Sequence, residues 1–168
     1  MNTLIRDEQP EDIKYIEALT KTAFLNEEHS SHTEQFIVNS LRKKGQLTIS
    51  LVAVENEVVV GHVAISPVTI SSGETGWYGL GPISVEPSRQ CMGIGSTLMK
   101  SSLEKLKKLG AKGCVLLGDP NYYSRFGFKS YSDLTLPNVP NEYFQAISFT
   151  NHIPTGHVIY HEAFDATE

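Results

Sequence analysis

The run Gln90-Cys91-Met92-Gly93-Ile94-Gly95-Ser96 has the make-up of an anion-binding turn. Its two glycines let a backbone approach a ligand closely, with no β-carbon in the way. A turn of this kind feeds a helix start. First-turn N–H groups there lack intrahelical partners, and the helix dipole favours negative charge. Further on stands Tyr122-Tyr123-Ser124-Arg125-Phe126-Gly127-Phe128. A phenol of pKa about 10 is protonated at neutral pH and can donate a proton. The two blocks together point to a phosphate-bearing cofactor beside an acid–base group. Other phosphate motifs fit less well. Leu98 stands where a Rossmann fingerprint has its third glycine, with no acidic residue at the expected distance. No Gly-x-x-x-x-Gly-Lys-Ser/Thr occurs.

Gln90-x-x-Gly93-x-Gly95, followed by Tyr123 four residues before Gly127-Phe128, resembles the GNAT (Gcn5-related N-acetyltransferase) superfamily. The run from Gly118-Asp119-Pro120 to Phe128 looks closer still to the small bacterial acetyltransferases of the YhbS type. The resemblance is sharp over about residues 80–130 and fits the element order of nearly the whole chain. It implies a single N-acetyltransferase domain over 1–168 that uses acetyl-CoA as cosubstrate and needs no metal. The acetyl group would pass directly to a primary amine in a ternary complex, the amine being a small molecule or a peptide or protein.

In that reading the pyrophosphate sits over backbone N–H groups of Cys91, Met92, Gly93, Ile94, Gly95 and Ser96, and Gln90 positions the loop. The resemblance adds main-chain groups of Ile83 and Val85 for the pantetheine arm. Tyr123 is the general acid for a departing thiolate of pKa about 8.5. Tyr122 competes for that role, because one helical step turns it about 100° away. Asn121 is a candidate cofactor contact. The family's asparagine stands at the end of the preceding strand, where this chain has Gly118-Asp119-Pro120. No base can be named: relatives use a glutamate on the fourth strand, and 77–85 holds no carboxylate. Glu86, His62, Glu28 and Glu74 are open alternatives. An acyl-CoA sensor without transfer activity, or an interaction module pairing through 152–164, are the rival readings.

These residues need a scaffold. Leu4-Ile5-Arg6 reads as a strand, and Pro10-Glu11-Asp12 opens a helix. Ile13, Ile16, Leu19 and Ala23 give that helix one apolar face. Ser31-x-x-Glu34 reads as a capping box for a second helix with Phe36, Ile37 and Leu41 inward and Gly45 beyond its end. Strands follow over 47–54, 58–70 and 77–85, the last disrupted near Gly81-Pro82. A helix over 93–109 carries Ile94, Leu98, Met99, Leu103, Leu106 and Leu109 as its buried stripe. A short apolar strand starts at Cys114, a short helix spans 121–125, and Gly127-Phe128-Lys129 begins another strand. Most of 131–155 reads as loop, and 156–164 as the last strand. The class is α+β, with mixed α/β layers. The resemblance makes it a GNAT-like acyl-CoA N-acyltransferase fold. Its mixed, mostly antiparallel sheet of six or seven strands would splay near Gly81-Pro82, flanked by about four helices.

The 168 residues suffice for one domain with a core. A net charge of −5 argues against general nucleic-acid binding. Lys100, Lys105, Lys107, Lys108 and Lys112 read as a solvated helix face, or as a basic rim for acidic phosphates. No apolar run approaches the ~20 residues of a membrane span, and the N-terminus shows no secretory pattern. Two cysteines, Cys91 and Cys114, make a disulfide framework implausible. The expectation is a cytoplasmic protein, monomer or homodimer. His157 and His161 would share a strand face about 13 Å apart, too far for one metal ion. Cys91, at a helix start, is a thiol that bound CoA would shield, unless only its N–H matters.

Overall fold

The computed structural model describes residues 3–28 and 30–168. Its strands are β1 (Leu4–Asp7), β2 (Ile49–Glu55), β3 (Val58–Ile70), β4 (Trp77–Val85), β5 (Gly113–Leu117), β6 (Leu134–Thr135), β7 (Phe144–Ser148) and β8 (Gly156–Tyr160). Its helices are α1 (Ile13–Phe24), α2 (Glu34–Lys43), α3 (Ile94–Lys108) and α4 (Pro120–Tyr123). Strand neighbours run β1-β2-β3-β4-β5-β7, and β8 pairs with β3 and β6. Parallel and antiparallel ladders are both present, so the sheet is mixed. The chain divides into two compact units, and it passes between them inside β3, β4 and α3.

The first unit comprises Met1–Ile65, Gly81–Leu103 and Glu162–Glu168. β1 and β3 both pair antiparallel with β2. The β2–β3 turn has positive φ at Asn56 and Glu57, the pattern of a tight hairpin whose twist suits its strands. Alternation along β2 and β3 sends Val52 and Ala64 to one face, where they meet Ile16 of α1 and Val38 of α2. The other face receives α3. Gly61 makes room there: a β-carbon on it would stand 2.9 Å from Ile94 and 3.1 Å from Leu98. Each such fully buried aliphatic side chain contributes roughly 1.5–3 kcal/mol. Ala163, in a 3-10 turn after β8, packs on Ile37 and Leu41 of α2.

The second unit comprises Ser66–Leu80 and Glu104–His161. Trp77–Gly79 of β4 pairs parallel with Gly113–Val115 of β5, and β7 pairs antiparallel with the whole of β5. β8 pairs with Val68–Ile70 of β3. The core joins Val68, Ile70, Trp77, Val115, Phe144, Ala146 and Val158.

β3 and β4 have the expected bounds, and Gly45 and Gly110 take the left-handed conformation after their helices. At the expected disruption of β4, the Gly81-Pro82 bond is cis and Gly81 has φ +137°. Several elements differ. Ser31 does not cap α2: the helix starts at Glu34 with Thr33 before it, and the Glu34 carboxylate instead accepts from Ser30 Oγ at 2.7 Å. Leu109 lies beyond the last turn of α3 and is 57% exposed. Most of 131–155 is loop, as expected, but it also contains β6 and β7, and the crowding of Pro and Asn before β7 concealed that strand. Lys129 forms one bridge with Ala146 rather than a strand. The last strand ends at Tyr160. Among the described residues no helix is long and apolar enough to cross a membrane.

Candidate active site

The first unit carries the candidate anion-binding turn. β4 leads into a 3-10 turn, Pro87–Arg89, capped by Glu86, whose carboxylate accepts from the Ser88 N–H at 2.9 Å. Gln90 Nε2 donates to the Val85 carbonyl at 3.2 Å, tying the loop back to its strand. Cys91 and Gly93 then take positive φ, +64° and +87°. Such reversals turn successive N–H groups toward one side, a concavity suited to anions. A β-carbon on Gly93 would meet nothing within 4 Å, so the turn is open at that point. α3 starts at Ile94, which is buried, while Cys91 and Met92 are exposed. The residues present therefore fit a pyrophosphate: an open turn, a helix start of fifteen residues and no carboxylate within Gln90–Ser96.

One participant was not read from the sequence. Arg89 Nε lies 3.3 Å from Glu55 Oε1, and Glu55 is buried at the end of β2, where it also accepts from Thr3. A cation is thus anchored one residue before Gln90. Only the strand pairing that brings Glu55 there could have revealed it.

The second unit carries the tyrosine block. β5 ends at Leu117, and Asp119 caps α4 by accepting from the Asn121 N–H at 2.9 Å. Asn121 itself is exposed. Gly127 takes φ +98°, which reverses the chain and buries Phe128. The Tyr123 ring meets Phe128 edge-on, with centroids 6.4 Å apart, and lies over Gly118. Gly118 is fixed on both sides: its N–H donates to Tyr143 and its carbonyl accepts from the buried Gln145. Burial raises the Tyr123 phenol above its ordinary pKa, with Tyr122 and Asp119 adding to the rise. The group stays protonated across the neutral range, as a proton donor must. Tyr122 instead stacks with the Arg125 guanidinium at 4.5 Å. Of the other acid–base alternatives, Glu74 pairs with His152 at 2.7 Å, Glu86 caps its turn, Glu28 is exposed and His62 is fully buried in the first unit.

Residues 4–131 match the model of the acetyltransferase (GNAT) domain, and the chain belongs to that family. It is 39% identical over 127 residues to the uncharacterized N-acetyltransferase YhbS of Escherichia coli K12, covering 75% of this chain and 73% of YhbS. Among solved structures it is similar to a GNAT family acetyltransferase from Brucella melitensis in complex with acetyl-CoA. The two share 47% identity and a TM-score of 0.88, over 98% of this chain and 99% of the other. E. coli YhbS in complex with CoA gives 35% identity and a TM-score of 0.89, over 100% and 94%. These likenesses make the chain an acyltransferase of the α+β GNAT fold.

Proposed function

We propose that the chain, as one domain over 1–168, is an acetyl-CoA-dependent N-acetyltransferase. It moves the acetyl group to a primary amine by direct attack in a ternary complex. The turn at Gln90–Ser96 carries this reading, with Gln90 tied to β4 and α3 starting at Ile94. Two similar structures, from Brucella melitensis and E. coli, are described as complexes with acetyl-CoA and CoA.

Bound acetyl-CoA would supply an activated thioester. N–H groups of Cys91 to Ser96 hold the pyrophosphate, and Arg89 adds a positive charge at the entrance to the turn. Main-chain groups of Ile83 and Val85 hold the pantetheine arm as an added strand. Tyr123 donates its phenolic proton to the sulfur that leaves. Asn121 is a further contact on the cofactor side. The acceptor is a small-molecule, peptide or protein amine, and the compartment is a bacterial cytoplasm, where Cys91 and Cys114 stay reduced.

The test is thiol release from acetyl-CoA against a panel of amines and peptides, for wild type and Tyr123→Phe, with acetyl-CoA binding measured by calorimetry. Turnover that falls in the variant while binding holds supports the reading. Tight binding without turnover on any amine favours an acyl-CoA sensor, and no binding rejects both.

A further inference from the structure

β7 carries one amide among Phe144, Ala146 and Ile147. That residue, Gln145, is 1% exposed. We infer that Gln145 is a positioning residue for the proton donor: it aims Tyr123 through the peptide that joins Gly118 to Asp119. The inference rests on Tyr123 being the acid of the proposed transferase.

The β5–β7 ladder places Gln145 opposite Leu116 and Ile147 opposite Cys114. Side chains alternate along a strand, so Gln145 and Ile147 share one face. That face seats the tyrosine block. A β-carbon on Gly127 would stand 3.1 Å from Ile147 Cδ1. Gln145 reaches the other end of the block, where its Nε2 donates to the Gly118 carbonyl at 3.0 Å. The Gly118 N–H donates to the Tyr143 carbonyl, also at 3.0 Å. β5 has ended one residue earlier, at Leu117, so a side chain takes over the carbonyl just past the strand.

Two routes lead from this peptide to the phenol. The first is contact: the Tyr123 ring lies over Gly118 so closely that a β-carbon there would overlap it. The second is backbone. The Gly118 carbonyl shares a peptide plane with the Asp119 nitrogen. The Asp119 carbonyl in turn accepts from the N–H groups of Tyr122 and Tyr123, at 3.0 and 3.1 Å. Turning the plane therefore turns the start of α4.

Packing alone does not explain an amide at this place. Gln145 Oε1 is buried and has no hydrogen-bond partner among the described residues, a cost that an aliphatic side chain avoids. Gly118 is only half-buried, so water can pair its carbonyl once the amide is gone. What an aliphatic residue cannot supply is the direction of the peptide plane.

The test compares Gln145→Leu with wild type, each with and without Tyr123→Phe. Thiol release from acetyl-CoA is followed on the amine of the panel that wild type turns over fastest. A catalytic group misplaced by about 1 Å can cost on the order of 10²-fold. Gln145→Leu should lower kcat roughly tenfold, part of that effect, and leave the acetyl-CoA Kd within about twofold. In the Tyr123→Phe background it should cost next to nothing, because a missing hydroxyl cannot be misaimed. Gln145→Glu gives a second readout. Its carboxyl can donate to the Gly118 carbonyl only while protonated, and burial raises the pKa of such a group. Its kcat relative to wild type should be highest at low pH and fall as the carboxyl ionises. That fall decides the matter should Gln145→Leu not fold. Equal losses in both Tyr123 backgrounds would overturn the positioning role. So would an unchanged kcat in Gln145→Leu while Tyr123→Phe is slow, or a Gln145→Glu profile parallel to wild type. Each of these leaves the transferase standing. Full activity in Tyr123→Phe counts against Tyr123 as the acid, and absence of wild-type turnover counts against the transferase. The positioning role falls with either.

Discussion

Tyr123 lies over Gly118 so closely that a β-carbon there would stand 2.2 Å from Cε2 of its ring. The glycine therefore sets where the phenol sits. Because hydrogen bonds from Gln145 and to Tyr143 hold Gly118 in place, Gly118→Ala should displace the ring rather than the backbone. A misplaced catalytic group of about 1 Å can cost on the order of 10²-fold in rate. Acetyl transfer by Gly118→Ala should fall at least tenfold, on the order of that effect, with acetyl-CoA affinity within about twofold of wild type. Steady-state kinetics beside calorimetry checks this, and an unchanged kcat would detach Tyr123 from the chemistry.

Removing the hydroxyl alone is the gentler probe. Tyr123→Phe keeps the ring contacts with Phe128 and Gly118 but has no proton to give. A lost general acid typically costs about 10²–10⁴-fold. The fall should appear in kcat, and Tyr122→Phe, whose ring is engaged by Arg125, should change it far less. Comparable losses in both variants would mean that the tyrosine pair acts through packing.

The loop and tyrosine blocks were legible because each is local. Positive φ at Gly93 and Gly127, the break at Gly81-Pro82 and the bounds of β3 follow from neighbouring residues. What stayed hidden depends on residues distant in sequence. β7 is a strand because Phe144 to Ser148 finds β5 to pair with, although Pro137 and Pro140 before it suggest loop. Ser31-x-x-Glu34 has the letters of a capping box, but the helix starts three residues after Ser31. Glu55 and Arg89 meet through the fold, as do Ser50 and His62.

Gly93 tests the anion half. Its φ of +87° is one that L side chains rarely adopt, and a β-carbon there would project into open space. Gly93→Ala should leave the core intact, put roughly 1–2 kcal/mol of strain into the loop and obstruct its concave side. The free loop relieves that strain by leaving the binding conformation and binding must restore it, so the acetyl-CoA Kd should be about tenfold weaker, with little change in kcat at saturation. Calorimetric titration decides it: an unchanged Kd would move the pyrophosphate elsewhere.

His62 makes stability depend on pH, in a window of its own. Burial foremost lowers the imidazole pKa from 6.5 to about 4; Arg42 lowers it further, while Glu8 and Asp12 act the other way. Above pH 6.5 the ring is neutral in the folded and unfolded chains, and its contribution is fully present. As pH falls below 6.5 the unfolded chain takes up a proton that the native chain refuses, so stability declines until about pH 4. At about 1.4 kcal/mol per tenfold change in proton affinity, the whole decline amounts to roughly 3 kcal/mol. Glu8 and Asp12 act lower. Burial opposes ionisation of Glu8, but Arg42 and Ser50 outweigh it and hold the carboxyl below 4.5. The hydrogen bond from Arg6 holds Asp12 below 3.8. Their contributions are lost only as pH falls through those depressed values. Urea denaturation in steps from pH 7.5 to about pH 3 should therefore show two declines. His62→Gln should flatten the upper one and leave the lower in place. A wild-type curve that is level between pH 6.5 and 4.5 would mean that the imidazole takes up its proton in the native chain as readily as in the unfolded one.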